Sequence, residues 1–356
     1  MSIPPIIPLQ VNRVWRSYTG GANLDRLAGN KDGGDTHFPE DWLLSTTRAV
    51  NPGRDDPPES GESAAVIWNR VLPLSQLLRQ YPETMLGAEH VAKHGMQPGF
   101  LLKLLDSAVR LHIQCHPTRE FSRKRLNANA GKAEGYFILA TREHTTPYIY
   151  LGFQRPPGRE EFKQAILSQD TKAILACFDP VPIKSGDVFF VPGGVPHAIG
   201  AGVLMVEIME DTDYAVRIEF ECAGYRLPEA SRFMGRDVEF ALDMFTFTRH
   251  SPERLRNELF VLPQTVEQQP GGELTALFHP GNNDCFQLNK LTVRESFVFR
   301  QDTFHALAVT RGTGRIVAGT CAHALQPGAR FFLPADAREF TLTADSNPLE
   351  AVLATR

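Results

Sequence analysis

The sequence has no apolar run long enough to cross a membrane. Its hydrophobic stretches, such as GFLLKLL at residues 99–105, are short and carry Lys103, well below the roughly 18 residues a span needs. It also lacks a strong charge of either sign: the formal net charge is −4 over 356 residues. That balance argues against a nucleic-acid or membrane partner, both of which are selected by clustered basic charge. The opening MSIPPIIPLQ has neither a basic start nor a small-residue cleavage site, so no secretion signal is expected. Cysteine is sparse: Cys115, Cys177, Cys222, Cys285 and Cys321 are an odd number, scattered, with no CxxC. A disulfide framework is thereby disfavoured, and reduced thiols in a cytoplasm are expected.

The length allows one large domain or two ordinary ones. GGANLDRLAGNKDGGD and NPGRDDPPESGES read as loops around short strands. Residues 72–94 carry helical spacing, as do 159–177 and 229–258. KAEGYFILAT, PYIYLGF, residues 187–221 and the chain from Pro263 onward read as strands and turns. This pattern predicts a mainly β protein of sandwich or barrel type with appended helices. One repeat supports two units: IKSGDVFFVPGGVPHA (183–198) aligns without a gap to LQPGARFFLPADAREF (325–340). His197 then corresponds to Glu339, so any site built on that histidine belongs to the first unit alone.

LHIQCHP at residues 111–117 alternates with period two, which places Leu111, Ile113 and Cys115 on one strand face and His112, Gln114 and His116 on the other. On the same rule Cys115 is a core residue. Lys132 and Glu134 share a face in GKAEGYF, and His197 sits in a turn fixed by Pro196 and glycines. Gln114, His116, Glu134 and His197 together offer two imidazoles, a carboxylate and an amide oxygen. Such an N/O set suits Zn²⁺, and also Co²⁺, Mn²⁺ or Fe²⁺. Eleven histidines also produce pairs by chance, so on spacing alone a solvent-facing strand competes with this reading. In VEIMEDTDYAVRIEF, Glu207 shares a face with Met209, and Arg217 one with Glu219. Arg217 either lines an interior, where it needs a partner or a ligand, or makes a surface ion pair.

These segments, taken in order, resemble type I phosphomannose isomerase, a zinc-dependent enzyme of the cupin superfamily. FPEDWLLS supplies Glu40, Trp42 and Ser45, GFLLKLLDSAVRLHIQCHP the Lys, the Asp and Gln-x-His-Pro, and GKAE the Lys-x-Glu. GDVFFVPGGVPHAIG and the spacing from Glu207 to Arg217 complete the set. The resemblance implies two cupin (jelly-roll) barrels, the first metal-binding (1–255) and the second degenerate (256–356), meeting in the polar run HSPERLRNE. It implies Gln114, His116, Glu134 and His197 as metal ligands, and Arg217 and Lys132 as catalytic groups. Lys103, His112 and Glu207 are expected to meet the substrate. The activity implied is interconversion of mannose 6-phosphate and fructose 6-phosphate through an enediol(ate), with a small sugar phosphate as partner. The chain departs from the family at His112, where a small hydroxyl residue is usual, and after Arg217, where RIEFECAG is acidic. Both departures fall on the phosphate side, so a different or unphosphorylated sugar is the alternative substrate. A sugar-binding cupin without activity and an Fe²⁺ cupin oxygenase are the competing functions. Gln114 in place of a third histidine speaks against the oxygenase.

Overall fold

LLKLLDS shows no polar–apolar alternation because both of its faces are covered. All seven residues of Leu101–Ser107 are buried in the computed structural model, which describes residues 2–58, 60–345 and 348–356. Leu102 and Leu104 pack outward against Phe278, Leu288, Ala306 and Val352 of the C-terminal half. Leu105 packs inward with Tyr136, Ile138, Leu151 and Met205. Lys103 lies between Leu101 and Leu105 on that inward face, as strand periodicity requires.

Eight strands of the first half are labelled β1 Leu101–Ser107, β2 Gln114–Cys115, β3 Glu134–Thr141, β4 Tyr148–Leu151, β5 Pro180–Pro182, β6 Val188–Val191, β7 His197–Ile199 and β8 Val203–Met209. Eight of the second half are β9 Gln287–Val293, β10 Ser296–Arg300, β11 His305–Arg311, β12 Gly314–Ala318, β13 Cys321–Leu325, β14 Arg330–Leu333, β15 Glu339–Ala344 and β16 Leu349–Thr355. In the first half the antiparallel order is β6-β3-β8-β1 in one sheet and β5-β4-β7-β2 in the facing one. In the second half it is β14-β11-β16-β9 and β13-β12-β15-β10. Chain order and pairing therefore repeat strand for strand. The sequence repeat covers β6–β7 and β14–β15, and its shared Gly186 and Gly328 both hold a positive φ, at 94° and 83°, where a side chain would strain the turn.

Flanking strands extend the repeated unit. Glu40–Leu44 and Arg13–Val14 lengthen the first large sheet, and Val216–Arg217 lengthens its partner. The N-terminal Ile7–Pro8 crosses to pair with β14, while Gly272–Phe278 and Gln264–Gln269 complete the second large sheet. The two large sheets pack face to face through Leu102, Leu104, Val206 and Ile208 on one side and Phe278, Leu288, Ala306 and Ala308 on the other. Gly135 belongs to this contact: a Cβ there would stand 2.6 Å from the Phe278 ring, so the close approach of the sheets requires glycine.

Several sequence expectations need correction. GGANLDRLAGNKDGGD contains a helix, Ala22–Leu27. Its N-terminal N–H groups are satisfied by Asp106, which accepts from Gly21 N and Asn23 N at 2.9 Å each; this tertiary cap is invisible to local spacing. Residues 72–94 form three helices, Leu74–Gln80, Pro82–Leu86 and Ala88–His94, because Pro82 and Gly87 break the run. Residues 229–258 hold only short turns of helix between loops. NPGRDDPPESGES is loop where described, and its Glu59 lies outside the described residues. All five thiols are free, four of them buried. No helix among the described residues is long and apolar enough to cross a membrane.

Candidate metal centre and substrate pocket

LHIQCHP is a strand only at Gln114–Cys115, and from His112 to Cys115 it divides its side chains as the alternation predicts, whereas Leu111 joins the pocket lining and not the core of Ile113 and Cys115. Ile113 and Cys115 are fully buried in a core with Phe153, Phe162 and Val216, whereas His112 and Gln114 line a pocket. The segment is held by Glu219, which accepts from Ile113 N at 2.8 Å and pairs with both terminal nitrogens of Arg110 at 2.6 and 2.7 Å. Glu219 is therefore a buried structural group and does not share the site with Arg217. At the other end of the segment, Gly193 lies so close that a Cβ would meet Pro117 O at 2.4 Å, which brings the PGGVPH turn against the Gln-x-His strand.

His197 in β7 pairs across from Gln114 in β2. Glu134 opens β3, and its carboxylate lies 3.1 Å from His116 Nε2 and 3.2 Å from His197 Nε2. The Nδ1 atoms face backbone carbonyls, at 2.8 Å to Tyr214 O and 2.9 Å to Val195 O. A carbonyl only accepts, so each Nδ1 carries hydrogen and each Nε2 presents a lone pair toward the carboxylate. Burial, followed by the Lys132 ammonium, pushes the His116 ring down to about 3, which keeps it neutral. Burial opposes ionisation of Glu134, but the charges around it, the Lys132 ammonium foremost, outweigh it and hold the carboxyl well below its ordinary range. Lone pairs facing a carboxylate repel it unless a cation lies among them, and the Lys132 ammonium, 3.2 Å from His116 Nε2, meets only one of the two imidazoles. The set therefore fits a divalent metal by the chemistry of its donors. His116, Glu134 and His197 offer ligand atoms within 4.8 Å of one another, and the Gln114 amide adds a fourth group 3.4 Å from His197 Nε2.

The inward faces of β1, β3 and β8 build the rest of the pocket. Lys103 in β1 pairs opposite Glu207 in β8, and Glu207 opposite Tyr136 in β3. Lys103 Nζ is 3.1 Å from Glu207 Oε1, off the hydrogen-bonding axis, and 3.3 Å from Glu40 Oε1. Glu40 also accepts from Arg16 Nε at 2.9 Å, Trp42 Nε1 at 2.8 Å and Tyr18 OH at 2.7 Å. Lys132 Nζ stands 3.1 Å from Glu134 Oε1 and 3.2 Å from His116 Nε2. Burial pushes Glu207 up to about 8, with Lys103 opposing and Glu134 reinforcing the shift. Arg217 lines the pocket and donates to Ser231 O at 3.3 Å. It makes no ion pair among the described residues. Burial, followed by Arg217, pushes His112 down to about 3.

The structure thus brings together Lys103, His112, Gln114, Lys132, Glu134, Glu207 and Arg217 around one pocket, with His116 and His197 beside Glu134. The sequence reading missed Arg16, Tyr18, Tyr136 and Asp213. Tyr136 donates to Glu134 Oε2 at 2.5 Å, and strand periodicity carried the signal, since it lies two residues past Glu134. Arg16 and Tyr18 lie outside any strand, and Trp15 and Ser17 line the pocket beside them, so no local period marked them; Asp213 pairs with Arg16 at 3.0 Å.

The second half keeps the strands without the donors. Val191 pairs with Glu134 as Leu333 pairs with His305, and His197 pairs with Gln114 as Glu339 pairs with Arg300. Glu339 and Arg300 form an exposed ion pair at 2.9 Å. His305 is buried against Phe299 with Nδ1 3.0 Å from Gln301 Oε1, and burial holds its ring down at about 4. Below pH ~6.5 the unfolded chain gains a proton there that the folded chain refuses until pH ~4. This contribution to stability is therefore present at neutral pH and is lost as pH falls across that window, by up to roughly 3 kcal/mol. His305→Gln is expected to flatten the acid limb of unfolding free energy against pH relative to wild type; parallel limbs would refute it.

Residues 276–347 match the family profile described as mannose-6-phosphate isomerase, cupin domain. The chain is 27% identical over 248 residues to the probable mannose-6-phosphate isomerase GmuF of Bacillus subtilis, covering 68% of this chain and 71% of that protein. The crystal structure of the Bacillus subtilis mannose 6-phosphate isomerase superposes with a TM-score of 0.76 at 20% identity, over 99% of this chain and 100% of that one. A zinc-bound mannose 6-phosphate isomerase superposes with a TM-score of 0.72 at 16% identity, again over 99% and 100%. By sequence and by fold, the chain is a relative of the type I mannose-6-phosphate isomerases of the cupin superfamily.

Proposed function

We propose that the chain is a metal-dependent aldose–ketose isomerase interconverting mannose 6-phosphate and fructose 6-phosphate. The observation that carries this reading is the convergence of two Nε2 lone pairs on Glu134 beside the unpaired Arg217 guanidinium. Gln114, His116, Glu134 and His197 would hold the metal, with Zn²⁺ suited to the donor set and present in a structural relative. Bound there, a divalent cation supplies positive charge to the oxygens of an enediolate. Arg217 adds hydrogen-bond donors for the same developing charge. Glu207, pushed up to about 8, takes the proton from C2 and returns it to C1, being balanced near neutral pH between its two forms. Lys132 Nζ serves the oxygen-bound proton, and Lys103 holds Glu207 in place.

The charge inventory favours an anionic substrate. Arg16, Lys103, Lys132 and Arg217 face Glu40, Glu134, Glu207 and Asp213 around the pocket, equal in number, so a divalent cation leaves an excess of positive charge for a phosphate. Each repeated eight-strand unit is read as a cupin barrel. The first, within residues 1–255, carries the site, and the second, within 256–356, is degenerate because Arg300, His305 and Glu339 stand where ligands would be. Free, mostly buried thiols support a cytoplasmic location. Proton NMR of mannose 6-phosphate in D₂O tests the reading. Zinc-loaded protein is expected to exchange the C2 proton and form fructose 6-phosphate, and a chelator to stop both. Neither exchange nor conversion by the metal-replete protein would sink the proposal.

A further inference from the structure

We propose that Tyr136 is a positioning residue of the metal centre: its hydroxyl fixes the Glu134 carboxylate between the two imidazoles, and the affinity for a divalent cation depends on that bond. The inference rests on the metal-binding half of the reading above and not on the substrate. Glu134 and Tyr136 are two residues apart in β3 and so project from the same face. The Tyr136 hydroxyl donates to Glu134 Oε2 at 2.5 Å, and Oε2 in turn lies 3.2 Å from His197 Nε2. The other oxygen, Oε1, lies 3.1 Å from His116 Nε2. A glutamate side chain gives up much rotamer freedom when held in one place. A short hydrogen bond to a carboxylate is among the stronger ones, and it takes only one of the acceptor sites of the two oxygens. The tyrosine is itself held: it is 1% exposed, packs with Leu105, Ile138, Phe189 and Met205, and meets the His197 ring edge-on with centroids 6.3 Å apart. Glu134 is the only hydrogen-bond partner of its hydroxyl among the described residues. The second half shows what this position needs for packing alone. Tyr136 pairs with Phe189 as Leu307 pairs with Phe331, so the copy with His305 in place of Glu134 has leucine in place of Tyr136. Leu307 is buried in that core. The repeated unit therefore folds around a plain apolar side chain there, and the hydroxyl accompanies the donor set.

Tyr136→Phe removes the hydroxyl and keeps the ring, which separates this role from a structural one. Zinc is titrated into metal-free wild type and variant in competition with a chromophoric chelator. The affinity of Tyr136→Phe is expected to be about 10- to 100-fold weaker, the scale for losing a partner that orients a metal ligand. Tyr136→Leu, which installs the side chain of the second copy, should weaken zinc at least as much, so the test stands if one variant folds poorly. Cobalt reports the orientation, because its visible absorption follows the geometry of its ligands. Cobalt-loaded Tyr136→Phe should differ from cobalt-loaded wild type in band position or intensity. A hydroxyl that only stabilises the fold would lower the melting temperature of the metal-free protein and leave both metal readouts at wild-type values. That result would overturn the proposal, as would tighter zinc binding by Tyr136→Phe. If wild type holds zinc without turning over mannose 6-phosphate, the isomerase reading fails, whereas the titrations still decide the role of Tyr136. If wild type holds no zinc, both fail.

Discussion

Glu134→Gln is expected to abolish both metal retention and turnover. Four groups bear on this carboxylate: His116 Nε2 at 3.1 Å, His197 Nε2 at 3.2 Å, Lys132 Nζ at 3.1 Å and Tyr136 OH at 2.5 Å. The amide keeps the shape and one acceptor but removes the negative charge that a divalent cation needs, and places an N–H₂ where an oxygen was. We expect less than about a tenth of the wild-type zinc after dialysis, since even losses beyond the ligands themselves typically cost 10- to 100-fold in affinity. The fall in kcat/KM should be about a thousandfold or more, the upper scale for removing one stabiliser of a developing oxyanion. Elemental analysis per chain and the D₂O assay measure the two separately. A Glu134→Gln protein that holds stoichiometric zinc through dialysis would rule out the ligand role.

Arg330→Met should be the most damaging substitution far from the pocket. Arg330 stands in β14 at the position that Val188 holds in β6, so the second copy places a charge where the first has a core residue. Its guanidinium reaches Asp41 in the first half, and both residues are 5% exposed. Asp41 Oδ1 also accepts from Asn12 N at 3.0 Å, and its neighbours Glu40 and Trp42 face the pocket network. Removing the arginine leaves a buried carboxylate without its counter-charge, which costs about 3–5 kcal/mol. Urea unfolding of Arg330→Met should show that loss, and Arg330→Met combined with Asp41→Leu should recover much of it, because the orphaned charge is then gone. A loss below about 1 kcal/mol in the single variant would mean that the pair contributes no more than a surface ion pair.

The two substitutions probe different levels of legibility. The Glu134 constellation was readable because strand periodicity fixes which residues share a face, and Gln114/His116 and Lys132/Glu134 are each two residues apart. The repeat was readable for the same reason, through matching turn and apolar positions around Gly186 and Gly328. The Arg330–Asp41 pair was not readable. Its members are 289 residues apart in sequence, and an arginine beside FFLP carries no sign of its partner. The helix at Ala22–Leu27 was missed on similar grounds, because the acceptor that satisfies its N-terminus, Asp106, arrives from β1.

The sequence by itself determined the mainly β character, the internal repeat, the donor types and the pairs of residues that project together. These are consequences of backbone periodicity and side-chain chemistry, which act over a few residues. Only the tertiary structure decided that the pairs converge, that both Nδ1 atoms are spent on carbonyls so that the Nε2 atoms face Glu134, and that His112 ends in the pocket wall. It also made Asp106 and Glu219 structural anchors, the first for the helix Ala22–Leu27 and the second for the segment around Ile113. The physical reason is that burial and hydrogen-bond partnership depend on which strands lie side by side. That pairing was set by contacts between residues scores to hundreds of positions apart, beyond the reach of any local pattern.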